Sequence, residues 1–285
     1  MSSVLYFVLP ALGGYALTSV YLLKNPQILH RKKRSAFYSR HISHRGGSGE
    51  RIESTMEAFT NSVEQGTEML ELDCHLTKDG HVVVSHDENL LRQTGHDVDV
   101  SSLDLKDLPL YKERLPVTFH EGRYSSGSDR NFALLEDVFR TFPRMPVSVE
   151  IKENNKPLIT KNDSMPHSFS MNRGLLLLLL FYTGLLPFVP LGESLLQFYL
   201  LRVMNRTYIS DSPVLRNRLV LYLLNKIMMR KSLFKHLADR GIQVHLFVCN
   251  EEEDIKAALD LGATGVMTDY PALLTSYYRK TRSQQ

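Results

Sequence analysis

Three short polar clusters, each at the end of a segment with the composition of a β-strand, constrain the fold of this chain more than any other feature. His-Ile-Ser-His-Arg-Gly-Gly occupies 41–47, Glu-Leu-Asp occupies 71–73 and Glu-Ile-Lys occupies 150–152. Toward the C-terminus, helical and strand patterns alternate over 231–268, which is typical of parallel β units. The carboxyl ends of the strands in an α/β barrel meet around one active site. The sequence therefore predicts a barrel with acids, bases and cations gathered at one end.

Length and composition limit what else the chain can be. The 285 residues, 43% of them hydrophobic, suffice for one large α/β domain with an appendage. A net charge of +3, without a basic patch interleaved with aromatic residues, does not indicate nucleic-acid binding. The two cysteines, Cys74 and Cys249, form neither a disulfide framework nor a zinc-binding pattern. We therefore expect two reduced thiols, no nucleic-acid partner and no obligate protein partner.

The N-terminal segment is apolar enough to enter a membrane. Residues 3–23 carry no charge, and a helix needs ~20 such residues to cross a bilayer. A cleaved signal peptide is the alternative, but no charged residues precede this stretch and no clean small-residue cleavage site follows it. The basic run 30–34 would face the cytoplasm, unless it is merely a solvated charge run that leaves orientation open. We expect a transmembrane anchor over 1–24, a basic juxtamembrane linker over 25–37 and a cytoplasmic domain.

A second apolar block spans 174–191 and includes six consecutive leucines. Its length would allow a membrane span, but expected barrel strands both precede and follow it in the sequence. A closed barrel cannot have strands on opposite sides of a membrane, and Gly184, Pro187 and Pro190 interrupt a helix. These features favour a segment that dips into one leaflet and guides a lipid to the barrel mouth. A buried core helix is the alternative.

The acidic strand ends suggest a metal site. Alternate residues of a strand share a face, so Glu71, Asp73 and His75 point one way, as do Glu150 and Lys152. Adjacent buried carboxylates repel each other and need a counter-charge, and all-oxygen ligands suit Mg²⁺ or Ca²⁺. A single Glu-x-Asp pair is more often a solvated strand edge. The second acidic strand end, with its lysine, favours the metal interpretation.

The first cluster carries groups that handle phosphate and protons. His44 and Arg45 precede Gly46 and Gly47, which allow a phosphate to approach the backbone. The guanidinium of Arg45 can bind phosphate oxygens through two parallel hydrogen bonds. His44 and His86 are candidates for a general base and a general acid, because imidazole titrates near neutral pH. Lone histidines are more often structural, which is what we expect of His41, His75, His81, His96 and His120.

Taken together, these segments resemble the glycerophosphodiester phosphodiesterases over about residues 38–275. The matching segments are His44-Arg45-Gly46, Glu53-Ser54-Thr55 with Ala58-Phe59, Glu71-Leu-Asp73, Asp79-Gly80, Val83–Asp87, Glu150-Ile-Lys152, 261–265 and Thr268–Pro271. The resemblance implies a TIM (β/α)8 barrel of the PLC-like phosphodiesterase type. The anchor and the segment 184–190 are similar to the membrane-bound mammalian lysophospholipase D branch, which implies an endoplasmic reticulum or perinuclear membrane.

The resemblance also implies an activity and residue roles. It implies metal-dependent hydrolysis of lysophosphatidylcholine or N-acyl lysophosphatidylethanolamine to lysophosphatidic acid and choline or N-acylethanolamine. The implied ligands of a divalent metal, Mg²⁺ or Ca²⁺, are Glu71, Asp73 and Glu150. His86 is implied as a further ligand, close enough to the metal to coordinate it. The implied catalytic residues are His44 and His86 as acid and base, with Arg45 and Lys152 as phosphate-binding cations.

Some positions depart from the family pattern. Phe247 replaces the tryptophan expected near the seventh strand, and Ile52-Glu53-Ser54 replaces Pro-Glu-Asn. Only residues 153–166 separate Lys152 from the next expected strand, close to the ~12-residue minimum for a single crossover. The barrel is therefore expected to be short by about one βα unit, as in a shortened isoform. The alternative function is a catalytically impaired protein that binds lipid or a partner at the membrane. The tail, 276–285, is expected to be disordered.

Overall fold

The structure is a computed structural model that describes residues 4–35, 37–152 and 165–283, with the side chains of residues 4 and 5 left out. The strands of these residues are β1 His41–Ser43, β2 Met69–Leu76, β3 Val82–Val84, β4 Arg114–Pro116, β5 Tyr124–Ser126, β6 Val147–Ile151, β7 Leu195–Tyr199, β8 Gln243–Phe247 and β9 Gly265–Thr268. The α-helices are α1 Val4–Lys24, α2 Met56–Glu64, α3 Leu91–Thr94, α4 Leu135–Thr141, α5 Met171–Thr183, α6 Pro213–Arg216, α7 Arg218–Met228, α8 Lys231–Asp239, α9 Glu252–Leu261 and α10 Pro271–Arg282.

The strands form a curled sheet that is most of a barrel. Six of them are parallel in the order β6-β2-β1-β9-β8-β7, and β3 runs antiparallel to the end of β2. The segment 167–169 extends the sheet beyond β7, because Phe169 N donates to Leu195 O and Ser194 N donates to His167 O. This arrangement agrees with the predicted TIM-barrel type. The β4–β5 hairpin lies outside the sheet, within a polar stretch for which the sequence predicts only a loop and a short helix.

The barrel is open on one side among the described residues. Within them, β6 pairs only with β2, and its residues are half-buried or exposed. A crevice of about 500 Å³ separates β6 from the segment 165–168. The opening lies where the sequence analysis expects a missing βα unit, while 153–164 fall outside the described residues.

The core sits between the sheet and its outer helices. β2 is buried over seven of its eight residues, and both β1 and β9 are buried throughout. Strands covered on both faces are buried along their length, as β9 is throughout and β8 is over four of its five residues. Phe234 and Leu237 of α8 and Ile255 of α9 pack in one cluster with Val244 and Leu246 of β8. Each such buried side chain contributes about 1.5–3 kcal/mol.

The sequence Ser54-Thr-Met-Glu57 is a capping-box pattern that predicts a helix with Ser54 as its N-cap, but helix α2 begins one residue later. The side chain of Thr55, not Ser54, accepts the capping hydrogen bond from Ala58 N at 3.2 Å. Ser54 has a positive φ of 62° and donates its backbone N–H to Arg45 O, which holds it in the turn before the helix. The Glu57 carboxylate accepts from the backbone of 128–129 instead of closing the box. The prediction of Ser54 as the cap was wrong because Ser54 and Glu57 both form hydrogen bonds with residues outside the helix.

The two apolar segments of the sequence lie against each other. Among the described helices, α1 alone is long and apolar enough to cross a membrane, and it is mostly exposed. Helix α5 has 13 residues, and Leu177 is its one fully buried member, so it is not a core helix. Tyr15 Oη donates to Thr183 O at 2.7 Å, and Ser19 Oγ donates to Gly184 O at 2.6 Å. These bonds join the C-terminal half of α1 to the end of α5.

The expected disordered tail is helical as far as Arg282. Helix α10 starts with Pro271 at its first turn and covers most of 276–285. Tyr277 and Tyr278 pack against the core, and Tyr278 Oη donates to Arg40 O at 3.0 Å. The prediction was wrong for 276–282 because these tyrosines contact the barrel.

Candidate active site

His44 follows β1 directly, and a buried carboxylate orients its ring. Its Nδ1 donates to Asp269 Oδ1 at 2.6 Å, and its Nε2 lies 4.0 Å from Glu71 Oε2. Asp269 follows β9, the neighbour of β1, and also accepts from Ser48 Oγ at 2.5 Å and Asn250 Nδ2 at 2.6 Å. Burial lowers the pKa of His44, but the charges of Asp269 and Glu71 outweigh burial and raise it overall. The imidazole is therefore fixed, with Nε2 on the side of the acidic strand.

Three carboxylates meet at the carboxyl ends of β2 and β6. Each of Glu71, Asp73 and Glu150 contributes one carboxylate oxygen, and these three oxygens lie within 4.8 Å of one another. The parallel register places Asp73 opposite Glu150, while Glu71 shares the strand face of Asp73. Glu71 and Asp73 are buried and Glu150 is exposed. Burial, and then the charge of Asp73, raise the pKa of Glu71.

The donor set of these carboxylates fits a hard divalent cation. Both oxygens of Asp73 are buried without a hydrogen bond of standard geometry from the described residues, and their charged contacts are Lys152 Nζ at 3.0 Å from Oδ1 and Arg45 Nε at 3.7 Å from Oδ2. Buried carboxylates without hydrogen bonds are costly unless a cation compensates them. Oxygen ligands with mixed burial also leave an open side for water or substrate. The residues present could therefore hold Mg²⁺ or Ca²⁺.

Lys152 closes the outer side of this cluster. Its Nζ lies 3.0 Å from Asp73 Oδ1 and donates to Glu150 Oε1 at 2.8 Å. Burial lowers the pKa of Lys152, but the charge of Asp73 and the contact with Glu150 raise it overall. The lysine is therefore a stable cation beside the carboxylates, on the strand face that the sequence analysis predicted.

Arg45 lies beneath the carboxylates and is fully buried. It adopts a positive φ of 49°, and its backbone N donates to Glu71 Oε2 at 2.9 Å. Its Nη1 donates to Glu53 Oε2 at 3.3 Å, and its Nε lies 3.7 Å from Asp73 Oδ2. Glu53 also accepts from Arg92 and Gln93, so two arginines share one buried carboxylate. The positive charge of Arg45 is thus held in place by acids on both sides.

His86 lies at the edge of the site, and its ring is also oriented by an acid. Its Nδ1 donates to Asp87 Oδ1 at 2.7 Å, and Arg92 Nε donates to Asp87 Oδ2 at 2.6 Å. Burial lowers the pKa of His86. Among the residues that the structure describes, His86 is not a member of the carboxylate cluster. Each catalytic histidine candidate therefore has its own carboxylate partner at Nδ1.

The two glycines after Arg45 serve a different purpose from the one expected. Gly46 and Gly47 have positive φ values of 74° and 83°. An added Cβ would lie 2.7 Å from the Phe59 ring at Gly46 and 2.8 Å from Pro271 at Gly47. Their small size lets the turn pack against α2 and α10, so the space beside them is filled by protein.

An aromatic wall flanks His44. The Phe119 ring lies 5.3 Å from the His44 ring, edge on, and the Phe247 ring stacks at 6.3 Å. Tyr199 extends the wall, with its ring 4.2 Å from that of Phe247. Phe247 stands where the family pattern has an aromatic residue near the seventh strand. Phe119 was not predicted, because it belongs to a polar loop with no strand pattern.

Several residues of the site were given no role from the sequence alone. Asp269 and Glu53 lie within the motifs that carry the family resemblance. The position of Asp269 directly after a strand was the one sign that it belongs to the site. Arg92 and Asn250 gave no signal in the sequence, because their contacts come from other parts of the chain.

Two of the histidines expected to be structural are buried. His41 lies beside Pro271 O at 3.0 Å, and His75 lies beside Glu88 Oε2 at 2.7 Å. The buried cysteines, Cys74 and Cys249, are free thiols as expected.

Comparison with known proteins gives consistent matches. Residues 44–179 match the family described as the Glycerophosphoryl diester phosphodiesterase family. The chain is 46% identical over 307 positions to Lysophospholipase D GDPD3 of Homo sapiens, covering 97% of this chain and 96% of that protein. It is 43% identical over 306 positions to Lysophospholipase D GDPD1 of Homo sapiens, covering 97% and 98%. Because 307 positions exceed the length of this chain, the first relative has residues without a counterpart here.

Solved structures show the same fold at lower identity. A glycerophosphodiester phosphodiesterase from Thermotoga maritima aligns with a TM-score of 0.54 at 19% identity, covering 84% of this chain and 99% of that one. The glycerophosphoryl diester phosphodiesterase domain of a Mycobacterium tuberculosis protein aligns with a TM-score of 0.51 at 17% identity, covering 84% and 99%. These structures support the fold alone.

Proposed function

Because this chain belongs to the glycerophosphoryl diester phosphodiesterase family and is a phosphodiester hydrolase, we propose that it is a metal-dependent lysophospholipase D. The cluster of Glu71, Asp73 and Glu150 beside an acid-oriented His44 carries this proposal. The substrate would be lysophosphatidylcholine or an N-acyl lysophosphatidylethanolamine. The products would be lysophosphatidic acid and either choline or an N-acylethanolamine.

Glu71, Asp73 and Glu150 would hold the divalent cation, Mg²⁺ or Ca²⁺. Two observations support this role: the oxygens of Asp73 are buried with ion-pair contacts to Lys152 and Arg45 but no hydrogen bond of standard geometry, and the pKa of Glu71 is raised. When bound, such a cation polarises the phosphoryl oxygens. The geometry supports a three-carboxylate site that does not include His86, and the hydrogen bond from His86 Nδ1 to Asp87 leaves Nε2 for proton transfer or for a fourth ligand position.

The two histidines would carry the protons of the reaction. Water attacks phosphorus, the bond from phosphorus to the headgroup oxygen breaks, and one proton passes from the water to the leaving alkoxide. One imidazole accepts the proton of the attacking water, and the other donates a proton to the choline or ethanolamine oxygen. The carboxylates of Asp269 and Asp87 hold His44 and His86 ready for this, since each fixes Nδ1 and leaves Nε2 for the substrate.

Arg45 and Lys152 would stabilise the negative charge on the phosphoryl group in different ways. Arg45 is buried and paired with Glu53, so it acts by its fixed charge and by holding Glu71 through its backbone N–H. Lys152 is only partly covered, so its ammonium can turn from Glu150 toward a phosphoryl oxygen. Preorganised charges of this kind act most strongly where water is excluded.

The exposed apolar helices support a membrane lipid as the substrate. Helix α1 would anchor the chain, with the barrel on the cytoplasmic side of an endoplasmic reticulum or perinuclear membrane. Helix α5 and the segment up to 191 would dip into the same leaflet. Arg31, Lys32 and Arg34 of the juxtamembrane linker are exposed and would face anionic headgroups.

The products formed in ¹⁸O-labelled water test this proposal. The full-length protein, incubated with lysophosphatidylcholine and Mg²⁺ or Ca²⁺, should release unlabelled choline and lysophosphatidic acid with one ¹⁸O on phosphorus. Label in choline, or release of fatty acid instead of choline, would contradict the proposal. Absence of any product from a folded protein would favour the alternative of a catalytically impaired lipid-binding or partner-binding protein.

A further inference from the structure

An apolar cavity lies beside the proposed active site. A cavity of about 260 Å³ separates the first half of α5 from β7 and the end of α7. Apolar side chains form most of its wall, including Leu175, Leu178, Leu196, Phe198 and Met228. Deep apolar cavities bind the apolar parts of ligands, and nothing in the proposed chemistry of the phosphate uses this one.

Aromatic rings connect this cavity to His44. Tyr199 lines the cavity, and its ring lies 4.2 Å from that of Phe247, which stacks on His44 at 6.3 Å. A parallel route runs through Phe119, whose ring lies 5.6 Å from Tyr199 and 5.3 Å from His44. Apolar rings therefore lie between the cavity and the place where a phosphodiester would react. An apolar chain attached to that phosphodiester would lie along these rings and reach the cavity.

The helices over the cavity present apolar residues outward. Tyr182 Oη donates to Ile227 O at 2.8 Å, which joins α5 to α7. The exposed apolar side chains of the two helices include Leu175, Leu176, Leu179, Tyr182, Leu219, Tyr222, Leu223 and Ile227. An exposed patch of this kind marks an interaction site.

The charges around this patch favour a lipid surface. No Asp or Glu occurs in 165–192 or in 212–238, whereas Arg173, Arg218 and Lys226 flank the patch. A basic, apolar pair of helices is the composition of an interfacial membrane contact. A lipid chain could therefore enter the cavity from the bilayer.

We propose that the cavity between α5, α7 and β7 binds the acyl chain of a lysophospholipid whose phosphodiester lies at the carboxylate cluster. This inference rests on the proposed function and adds the site that selects an acylated substrate. It predicts that the protein distinguishes lysophosphatidylcholine from glycerophosphocholine, which has the same phosphodiester and no acyl chain.

Filling the cavity from Gly174 tests the acyl-chain site. Gly174 lines the cavity, and no atom lies within 4 Å of an added Cβ, so Gly174→Phe introduces a ring without a backbone clash. The variant should raise KM for palmitoyl lysophosphatidylcholine by at least about 10-fold, because the ring displaces several methylenes from the cavity. Turnover of glycerophosphocholine should stay unchanged. Gly14→Phe in α1 is the matched control, because Gly14 is also helical with open space around it.

Equal losses on both substrates, or no loss on either, would overturn the acyl-chain site while leaving the proposed function intact. Failure of the unmodified protein to hydrolyse either substrate would instead contradict the proposed function.

Binding of lysophosphatidylcholine in the cavity can be measured even in that case. The chain contains no tryptophan, so Phe198→Trp places a single fluorophore in the cavity.

Lysophosphatidylcholine with bromine atoms on its acyl chain, used below its critical micelle concentration, should quench the fluorescence of Phe198→Trp. Adding Gly174→Phe should remove that quenching. Phe139→Trp on the exposed side of α4 is the control and should not be quenched. Equal quenching at both positions, or none at Phe198→Trp in a protein with an unchanged Tm, would overturn the acyl-chain site.

Discussion

The Nδ1 of His44 donates a hydrogen bond to Oδ1 of Asp269 at 2.6 Å, and this bond joins the ends of the paired strands β1 and β9. Asp269 is fully buried and is itself fixed by Ser48 and Asn250. A buried carboxylate held in this way selects one tautomer and one orientation of the imidazole. Residues 225 positions apart in the sequence thus set the position of Nε2 opposite Glu71.

Removing the charge of Asp269 should impair turnover more than binding. In Asp269→Asn the amide can present its NH₂ to His44 Nδ1, which favours the wrong tautomer, and the pKa of His44 should fall because Asp269 raises it. We expect kcat to fall by about 100-fold or more, with little change in KM. Asp260→Asn on the exposed side of α9 is the control. An unchanged kcat in Asp269→Asn would show that this bond is only structural.

Divalent cations should stabilise the protein through the carboxylate cluster. Without metal, Glu71→Gln should raise Tm, because burial and Asp73 both oppose the charge of Glu71. With millimolar Mg²⁺ or Ca²⁺, the unmodified protein should gain several degrees in Tm and Glu71→Gln should gain little. Differential scanning calorimetry measures both, with the exposed Glu136→Gln as the control. A metal-induced shift equal in all three proteins would exclude this cluster as the site.

Glu53 should be essential for stability, because it neutralises the buried Arg45 and the partly buried Arg92. Burial raises the pKa of Glu53, but Arg92 and Arg45 reverse this and hold it far below its usual range. Glu53→Gln would remove the carboxylate that Arg45 and Arg92 share and leave the buried Arg45 with Asp73 at 3.7 Å, at a cost of about 3–5 kcal/mol in the free energy of unfolding. Urea denaturation measures this cost. Glu113→Gln, which breaks the exposed pair with Arg130, should change it by less than ~1 kcal/mol. Similar small changes in both variants would refute the role of Glu53.

Acid should destabilise the fold through His236. Its Nδ1 donates to Leu23 O at 2.8 Å, and burial lowers the pKa of His236 to about 4. The unfolded chain, with a histidine pKa of about 6.5, binds this proton first, so stability falls as pH drops from 6.5 toward 4, by up to ~3 kcal/mol.

His236→Gln should flatten this pH dependence in urea denaturation between pH 7 and pH 4. His245, whose pKa burial lowers to about 3, should maintain a residual slope. The exposed His81→Gln is the control and should keep the full dependence. An equally steep fall in His236→Gln and the unmodified protein would contradict the assignment.

The sequon at Asn205 should remain unglycosylated if the barrel is cytoplasmic. The Nδ2 of Asn205 donates to Leu215 O at 3.0 Å and Arg216 O at 3.1 Å, so both amide hydrogens are already used. Protein from mammalian cells should show no mobility change on glycosidase treatment. A version with a sequon-bearing tag before the N-terminus should change, because that end would lie in the lumen. A change in the untagged protein would reverse the proposed orientation. The second sequon, at Asn162, lies outside the described residues.

Local patterns in the sequence predicted only part of this site. The alternation of β2 was enough to place Glu71 and Asp73 on one face, because strand periodicity is a local property. The contact between His44 and Asp269 could not be predicted in this way, since it depends on the pairing of β1 with β9. The tight fit of Gly46 against Phe59 was also hidden, because it depends on how α2 packs against the turn.

The exposed apolar surface of α5 and α7 could likewise be predicted only in part. The leucine run of α5 is visible in the sequence, but the exposed apolar face of α7 was not recognised until its neighbours were known. The length of chain between Lys152 and His167 indicated a shortened barrel. Only the structure shows that the opening lies between β6 and 165–168.

Choline release from lysophosphatidylcholine by the purified full-length chain, with and without metal, tests the proposed function most directly. The unmodified protein should release choline with Mg²⁺ or Ca²⁺ and stop when the metal is chelated. Glu71→Gln and Asp73→Asn should each lower kcat/KM by at least about 100-fold, and Glu136→Gln should not, because the buried carboxylates carry the cation. Choline release that persists in a chelator and in both carboxylate variants would contradict a metal-dependent lysophospholipase D.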